Sequence, residues 1–270
     1  MHLLLRLLLA VITIATASPV HKKRGAPDYS ITGDAPFSVD ANTLAAAITC
    51  PNGNPTSAAP PVLLVHGTGS TGAETWDEGY VPALQANGYT ACYITLPGRA
   101  MGDMQISSEY VAYGLHYISS ISGGLKTAVI SHSQGGPVTQ WALQFWPSTR
   151  SVTRAFIPLS PDFAGIDILS SNLSSICEGI QCQASIWQQR DGSKFLEALH
   201  AHDFSALVPT TSIWTQVSHS SQARSEGLDI DTMTSSTAWS RLPTIMPSSL
   251  QPKLSRCSSC VLCVSPTTSR

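Results

Sequence analysis

The sequence predicts an α/β fold with a doubly wound, mostly parallel sheet and helices on both faces. Short apolar runs at residues 61–67, 88–95, 127–131 and 154–159 alternate with segments of helical character. Strands that alternate with helices form parallel sheets that are covered on both sides. A glycine-rich loop and a serine-centred turn each follow one of the runs, as is typical of sites at the carboxyl ends of parallel strands.

The first half of the predicted domain contains two strands. Residues 61–67 form a short apolar run that ends at glycine, which is typical of a buried parallel strand. The loop Gly-Thr-Gly-Ser-Thr-Gly follows at residues 67–72, and a helix is predicted near residues 76–85. Residues 88–95 form the second predicted strand.

The second half begins with a long helix. Residues 105–122 place Val111, Leu115, Ile118 and Ile121 at helical spacing. A strand at residues 127–131, a helix at 134–146 and a strand at 154–159 follow. The predicted strand ends therefore bring residues 67–68, 133 and 160–162 to one edge of the sheet.

Ser133 lies in Val-Ile-Ser-His-Ser-Gln-Gly-Gly, residues 129–136, between an apolar run and a helical segment. This context is typical of a nucleophile elbow, a strained strand–turn–helix junction that exposes a serine hydroxyl. Ser131 stands where the G-x-S-x-G pattern has its first glycine; it keeps small size but loses freedom at positive φ. A polar turn in a serine-rich chain is the alternative.

The N-terminal residues indicate export. Residues 1–17 form an apolar stretch that ends in Ala-Thr-Ala, which predicts a secretory signal too short to span a bilayer. Residues 18–24 end in Lys-Lys-Arg, and either a pro-peptide cleavage site or a solvated basic patch fits them. No other segment has the ~20 apolar residues of a membrane helix. The expectation is a secreted, extracellular protein.

Composition excludes other classes. The net charge of −2 and the pI of about 6.4, with no basic stripe, argue against nucleic acid as a partner. Seven cysteines in an exported chain predict disulfides and leave at least one cysteine unpaired. Cys177 and Cys182 form either a disulfide that closes a small loop or two free thiols. Asn172 begins a glycosylation acceptor, Asn-Leu-Ser.

Several collinear segments carry a family resemblance. They are Leu-Leu-Val-His-Gly-Thr-Gly-Ser-Thr-Gly at 63–72, Ser-Gln-Gly-Gly at 133–136, Gln-Trp at 140–141, Phe-Trp-Pro-Ser at 145–148, Pro-Asp-Phe at 161–163, Ile-Trp-Gln-Gln at 186–189 and Val-Pro-Thr-Thr at 208–211. Over residues 27–216 the chain resembles the Candida antarctica lipase B-like family of secreted fungal α/β-hydrolases. The resemblance implies an α/β-hydrolase fold, hydrolysis of lipid or other ester substrates through a serine acyl-enzyme, and no metal or cofactor.

The resemblance also implies residue roles. Ser133 matches the nucleophile, and Thr68 and Gln134 match the oxyanion hole. The pocket residues of the family correspond to His132, Asp162 and Gln189, with His132 in place of a tryptophan. His66 stands where the family has a proline, and a hydrogen-bonded structural role is expected for it.

A disulfide between Cys50 and Cys92 is implied as well, because both stand at the family's positions. The default oligomeric state of a small exported hydrolase is a monomer.

The resemblance stops at residue 216. The family's catalytic aspartate is expected near Ser218, and its histidine lies further on, but His219 is the last histidine here. Residues 217–270 contain 14 serines and one glycine and show no strand or helix periodicity. They are predicted to be an irregular tail, arising from a frameshift or a retained intron, that leaves the domain at 25–216 incomplete at its C-terminus.

Three functional hypotheses follow. The first is a secreted lipase or carboxylesterase whose catalytic aspartate and histidine are missing from this chain. The second is an inactive hydrolase-like protein that binds lipid or acyl ligands. The third uses His200, His202 or His219 as the base with Asp203 or Asp229, although no spacing supports that set. Cys257, Cys260 and Cys263 have the spacing of a metal site, which the serine-rich exported context disfavours.

Overall fold

A computed structural model describes residues 25–166, 182–201, 205–215 and 262–267. Its strands are β1 Ile48–Thr49, β2 Pro61–Val65, β3 Thr90–Ile94, β4 Thr127–His132, β5 Thr153–Leu159, β6 Thr210–Thr215 and β7 Leu262–Thr267. Its helices are α1 Ala41–Ala46, α2 Gly72–Trp76, α3 Tyr80–Ala86, α4 Met104–Ile121, α5 Gly135–Phe145, α6 Thr149–Val152, α7 Ala184–Gln188 and α8 Lys194–His200, with a short 3₁₀ segment at Pro97–Ala100.

The strands form one sheet in the order β1-β3-β2-β4-β5-β6-β7. Pairing is parallel from β3 to β6, and the two outermost strands, β1 and β7, run antiparallel to their neighbours. The structure confirms the predicted α/β-hydrolase architecture and its four predicted strands. The segment predicted as one helix near residues 76–85 forms two helices, α2 and α3, separated by Asp77–Gly79.

The strand β7 differs from the sequence expectation. The sequence predicts an irregular tail over residues 217–270, whereas residues 262–267 pair antiparallel with β6 from Thr210↔Thr267 to Thr215↔Leu262. A sheet edge offers unpaired N–H and C=O groups to any extended segment. The β-prone run Leu-Cys-Val at 262–264 suits that edge, although it is too short to be recognised against a serine-rich background.

Alternate side chains of β2 enter two separate cores. Leu63 and Val65 pack with α4 and α5 on one face, while Val62 and Leu64 pack with α2 and α3 on the other. All five residues of β2 are buried. The continuous apolar run is therefore the direct result of burial on both faces.

The N-terminal part of the domain is fastened to the rest by a disulfide and a buried carboxylate. Cys50 and Cys92 form the disulfide that the resemblance implied and connect the chain after β1 to β3. Glu109 of α4, 4% exposed, accepts hydrogen bonds from the N–H groups of Ser38 and Val39 at 2.8 and 2.9 Å.

The second predicted disulfide and the predicted glycosylation site involve residues that the structure does not describe. Cys182 is disulfide-bonded, but its expected partner Cys177 lies outside the described residues, as does Asn172. In the part of the chain that the structure describes, no helix has both the length and the apolar character needed to cross a membrane.

We expect Glu109→Ala to lower the free energy of unfolding by roughly 1–3 kcal/mol, because it leaves two backbone N–H groups without an acceptor. Urea denaturation followed by tryptophan fluorescence measures the change. Glu78→Ala is the control, since Glu78 is exposed and surface changes usually stay within ~0.5 kcal/mol. Equal effects of the two substitutions would contradict the anchoring role of Glu109.

Candidate active site

Ser133 lies at the predicted junction between strand and helix. β4 ends at His132 and α5 begins at Gly135, so two residues make the turn. Ser133 has φ 51°, a left-handed conformation that is uncommon for residues other than glycine. Its N–H donates to the carbonyl of Leu159 in β5 at 3.0 Å, and its carbonyl accepts from Gly136 at 2.8 Å. The strained turn is therefore held by the neighbouring strand and by the start of the helix.

Glycines surround this turn because other backbone passes very close. A Cβ atom at Gly135 would lie 2.7 Å from the carbonyl oxygen of Val65 and 2.9 Å from that of His66. At Gly136 it would lie 2.6 Å from Cβ of Pro161. At Gly67 it would lie 3.0 Å from Cβ of Ser133. The ends of β2, β4 and β5 thus converge on Ser133.

Ser131 shows why the serine in place of the pattern's first glycine is accommodated. It is the fifth residue of β4, pairs with Val65 and Pro158, and is fully buried. Among the described non-glycine residues, positive φ occurs at Ser133 and three other positions, and Ser131 is not one of them. The first position of the G-x-S-x-G motif therefore requires a small side chain here but does not require left-handed backbone, so serine can replace glycine.

Three of the predicted site residues form one hydrogen-bonded group. Thr68 Oγ1 lies within hydrogen-bond distance of both Gln134 Oε1 and Gln189 Oε1, the latter at 3.0 Å. Gln189 Nε2 donates to Gln134 Oε1 at 3.1 Å and to the carbonyl of Ser185 at 3.0 Å. The Ser185 carbonyl fixes the amide orientation of Gln189, and Gln189 in turn fixes that of Gln134.

This orientation places Thr68 between two amide oxygens. Its single hydroxyl proton can serve only one of them at a time. The backbone N–H of Gln134 makes no hydrogen bond to the other described residues, and Gln134 Nε2 is buried without a partner among them. Donors that lack partners in a buried position can bind a negatively charged or carbonyl oxygen of a ligand.

Asp162 follows the carboxyl end of β5 and is 7% exposed. Neither carboxylate oxygen accepts a hydrogen bond from another residue of the described chain. Burial away from water disfavours the charged form and raises the pKa of Asp162 to about 7. Near neutral pH the group is therefore often protonated and can donate a hydrogen bond.

His132 directly precedes Ser133, and part of its side chain faces solvent. Its Nδ1 lies 3.4 Å from where a Cβ of Gly67 would stand, so the ring borders the glycine-rich loop. Partial desolvation lowers the pKa of His132. His132 therefore lies next to Ser133 in the chain, with its ring against the glycine-rich loop and partly open to solvent.

The other described histidines are hydrogen-bonded elsewhere. His66 is fully buried: its Nδ1 donates to the Gly67 carbonyl at 2.8 Å, and its Nε2 accepts from the N–H of Leu96 at 2.9 Å. His116 Nε2 is 2.8 Å from Ser148 Oγ, and His200 bonds the backbone of Phe163. Within the described ranges, no histidine is hydrogen-bonded to Ser133.

The structural role expected for His66 thus agrees with its two hydrogen bonds. The remaining candidates for base and acid, His202, Asp203, Ser218, His219 and Asp229, lie outside the described residues. The sequence does not indicate Ser185, because this residue contributes a backbone carbonyl, which every residue type has.

Comparison with known proteins supports the relationship. The chain is 35% identical over 203 residues to "Lipase B" of Pseudozyma antarctica, covering 75% of this chain and 57% of the relative. The chain therefore spans little more than half the length of that relative. No protein-family model matches.

Solved structures of lipases are also similar to this chain. Lipase B of Aspergillus fumigatus is 38% identical with a TM-score of 0.63, covering 70% of this chain and 46% of that one. A Bacillus licheniformis lipase is 22% identical with a TM-score of 0.50, covering 60% of this chain and 68% of that one, and shows the shared fold.

We expect Gly135→Ala to destabilise the protein by roughly 1–3 kcal/mol, because the new methyl group collides with two backbone carbonyls. Alanine's better helix propensity, at most ~1 kcal/mol, does not offset this at the first turn of a helix. Gly102→Ala is the matched control, since a Cβ there meets nothing within 4 Å. Thermal unfolding of both variants measures the difference. A Gly135→Ala protein as stable as Gly102→Ala would show that the β2–α5 contact can relax.

We expect Asp162→Asn to stabilise the protein relative to wild type increasingly as pH rises from 4 to 7. The ordinary pKa of an aspartate is 3.8 and the folded value is about 7, so in this window the folded protein holds a proton that the unfolded chain has lost. The wild-type free energy of unfolding therefore falls with rising pH, by roughly 2–4 kcal/mol across the window. Urea titrations at pH 4.5 and 8 measure the gap; a gap independent of pH would contradict burial of the carboxyl.

Proposed function

We propose that this chain, which belongs to the lipase B-like family of α/β-hydrolases, carries the nucleophile and oxyanion side of a carboxylic ester hydrolase site. The main support is the position of Ser133, with φ 51° on a strand-to-helix turn where three strand ends converge. The similarity to two lipase B proteins supports the same assignment. The proposed substrates are carboxylic esters of the lipase type, including triacylglycerols.

In the proposed reaction, Ser133 Oγ attacks the ester carbonyl and loses its proton to a base. The carbonyl oxygen becomes an oxyanion, the tetrahedral intermediate collapses, and the alcohol leaves with a proton. Water then attacks the acyl-serine ester, which releases the carboxylic acid and restores the hydroxyl. The serine is a weak nucleophile until the base accepts its proton, so the rate depends on that group.

Thr68 and the Gln134 N–H are proposed to bind the oxyanion. Both belong to segments that follow β2 and β4, whose carboxyl ends are adjacent in the sheet. The Gln134 N–H has no partner within the described chain. The Thr68 hydroxyl can exchange an amide oxygen for the more negative oxyanion. Loss of one such donor typically costs ~10²–10³ in rate.

His132, Asp162 and Gln189 are proposed to line the pocket for the ester. Asp162 in its protonated form would donate to a polar atom of the substrate, since it makes no hydrogen bond to the other described residues. His132 at the rim would influence which acyl or alcohol groups enter.

The proton-accepting base is not assigned to any described residue. Three of the four described histidines, His66, His116 and His200, are hydrogen-bonded to other groups, and His132 makes no hydrogen bond to Ser133 within the described chain. We therefore propose that the polypeptide of residues 1–270 binds esters but turns them over slowly. The second candidate function, an inactive hydrolase-like protein that binds lipid or acyl ligands, is favoured by the same observation.

Secretion is part of the proposal. The apolar residues 1–17 with their Ala-Thr-Ala ending support a cleaved signal, and the Cys50–Cys92 disulfide suits an oxidising compartment. Asn172 is the proposed glycosylation site. A monomer with no cofactor is the simplest working assembly.

The decisive experiment supplies the base from solution. We expect purified protein of residues 1–270 to hydrolyse 4-nitrophenyl butyrate slowly. Its rate should exceed that of the uncatalysed reaction in water by no more than ~10³–10⁴-fold, which is the enhancement that a serine hydrolase site retains without its triad base. Added imidazole should then raise the rate saturably in the wild type, and only by its free-solution effect in Ser133→Ala.

Two outcomes would change the proposal. Equal imidazole dependence of both proteins would exclude Ser133 as nucleophile and favour the binding function. Fast turnover without imidazole that Ser133→Ala abolishes would retain the nucleophile and show that one of the chain's own histidines acts as base.

A further inference from the structure

An unusual turn lies beside the glycine-rich loop. Gly98, Arg99 and Ala100 all have left-handed backbone, with φ of 57°, 58° and 58°. Residues other than glycine adopt this region at a cost and rarely in succession. Such conformations persist only where the surrounding structure determines them, and they concentrate at functional sites.

Hydrogen bonds on two sides hold the turn. On the buried side, Leu96 donates its N–H to His66 Nε2 at 2.9 Å. On the outer side, Gly69 donates its N–H to the carbonyl of Arg99 at 2.8 Å. Both contacts connect the turn to the chain that follows β2, so the turn and the glycine-rich loop form one unit.

The Arg99 side chain adds a second connection to the same loop. Its Nε and Nη2 both donate to the Gly69 carbonyl, at 2.9 and 2.6 Å. Its Nη1 and Nη2 also donate to the two carboxylate oxygens of Glu74, at 2.9 and 2.8 Å. Glu74 Oε2 in turn accepts from the N–H of Thr71, closing the capping box at the start of α2.

Gly69 is therefore bonded to Arg99 through both its N–H and its carbonyl. Gly69 directly follows Thr68, whose hydroxyl faces Gln134 and Gln189 on the inner side. The loop at residues 67–71 is thus held on its outer side by Arg99 and Glu74 and on its inner side by the two amides.

Stability alone does not account for this arrangement. Arg99 and Glu74 have side chains that are 51% and 52% exposed, and exposed ion pairs contribute little to folding. What the guanidinium supplies is direction, because its planar fork fixes the carbonyl and the carboxylate at set angles. A loop held in one conformation is most important for a hydrogen-bond donor that must point at an oxyanion.

We propose that Arg99 is a positioning residue that sets the glycine-rich loop so that Thr68 points at the oxyanion. The proposal rests on the oxyanion role of Thr68 given above. Arg99 touches no substrate; it acts through Gly69. Its loss should weaken binding of a tetrahedral, anionic ligand while leaving binding of a planar, neutral ligand unchanged.

Arg99→Asn is the test variant, since asparagine tolerates left-handed backbone but removes the guanidinium. Arg99→Lys keeps the charge and loses the fork. Arg150→Ala is the matched control, because Arg150 also donates to backbone carbonyls, those of Leu143 and Gln144, at the far end of α5.

Two ligands are titrated by calorimetry. Phenylboronic acid forms a tetrahedral, anionic adduct with a serine hydroxyl, and a boron-bound oxygen of that adduct occupies the oxyanion position. Butyramide is the planar, neutral ligand for comparison. Hydrogen exchange of the peptide spanning residues 66–76 is measured on the same proteins.

We expect Arg99→Asn to bind phenylboronic acid about 10–100-fold more weakly, the scale of a displaced catalytic group, with butyramide affinity unchanged. Arg99→Lys should fall between, and Arg150→Ala should match wild type. Exchange at residues 66–76 should be faster in Arg99→Asn only.

The proposal would be wrong if Arg99→Asn had the same exchange rates and ligand affinities as wild type. It would also be wrong if Arg99→Asn lost affinity equally for phenylboronic acid and butyramide. If Ser133→Ala binds phenylboronic acid as tightly as wild type, the proposed function fails instead, because the serine then does not hold the ligand. The exchange measurement then still decides whether Arg99 sets the loop.

Discussion

The site depends on how closely the backbone of α5 approaches the end of β2. A single methyl group at Gly135 would lie within 3 Å of two carbonyl oxygens, so the helix can begin there only without a side chain. This approach turns the chain sharply after β4, which forces Ser133 into left-handed backbone. The central strands, both cores and the surrounding glycines are arranged so that this one contact is possible.

A group of hydrogen-bonded polar residues lies at the same edge of the sheet, on segments that include those following β2 and β4. Its order comes from backbone as much as from side chains: the Ser185 carbonyl orients Gln189, which orients Gln134, which faces Thr68. Buried polar groups of this kind are costly when unpaired and strongly directional when paired. Asp162 and the Gln134 side-chain nitrogen have no hydrogen-bond partner among the described residues, and the proposed ester substrate would bind beside them.

The parts of the structure that follow from residue periodicity could be predicted, and the parts that follow from backbone geometry could not. The runs at 61–67 and 127–131 are apolar because their strands are buried on both faces, so they were recognisable in the sequence. The strand at 262–267 was not, because edge pairing uses main-chain groups that every residue has. The left-handed turn at Arg99 cannot be predicted either, because neither arginine nor alanine is a residue type that favours positive φ.

The sheet order has a consequence for how this protein can diverge. The strands that lead to Ser133, Thr68 and Asp162 are β4, β2 and β5, and each is flanked by a strand on both sides. The margins of the sheet, at β1 and β7, bear none of these residues. Neutral drift can therefore reshape both margins while the interior keeps its geometry, so related chains should share the middle of the sheet and differ most at its two sides.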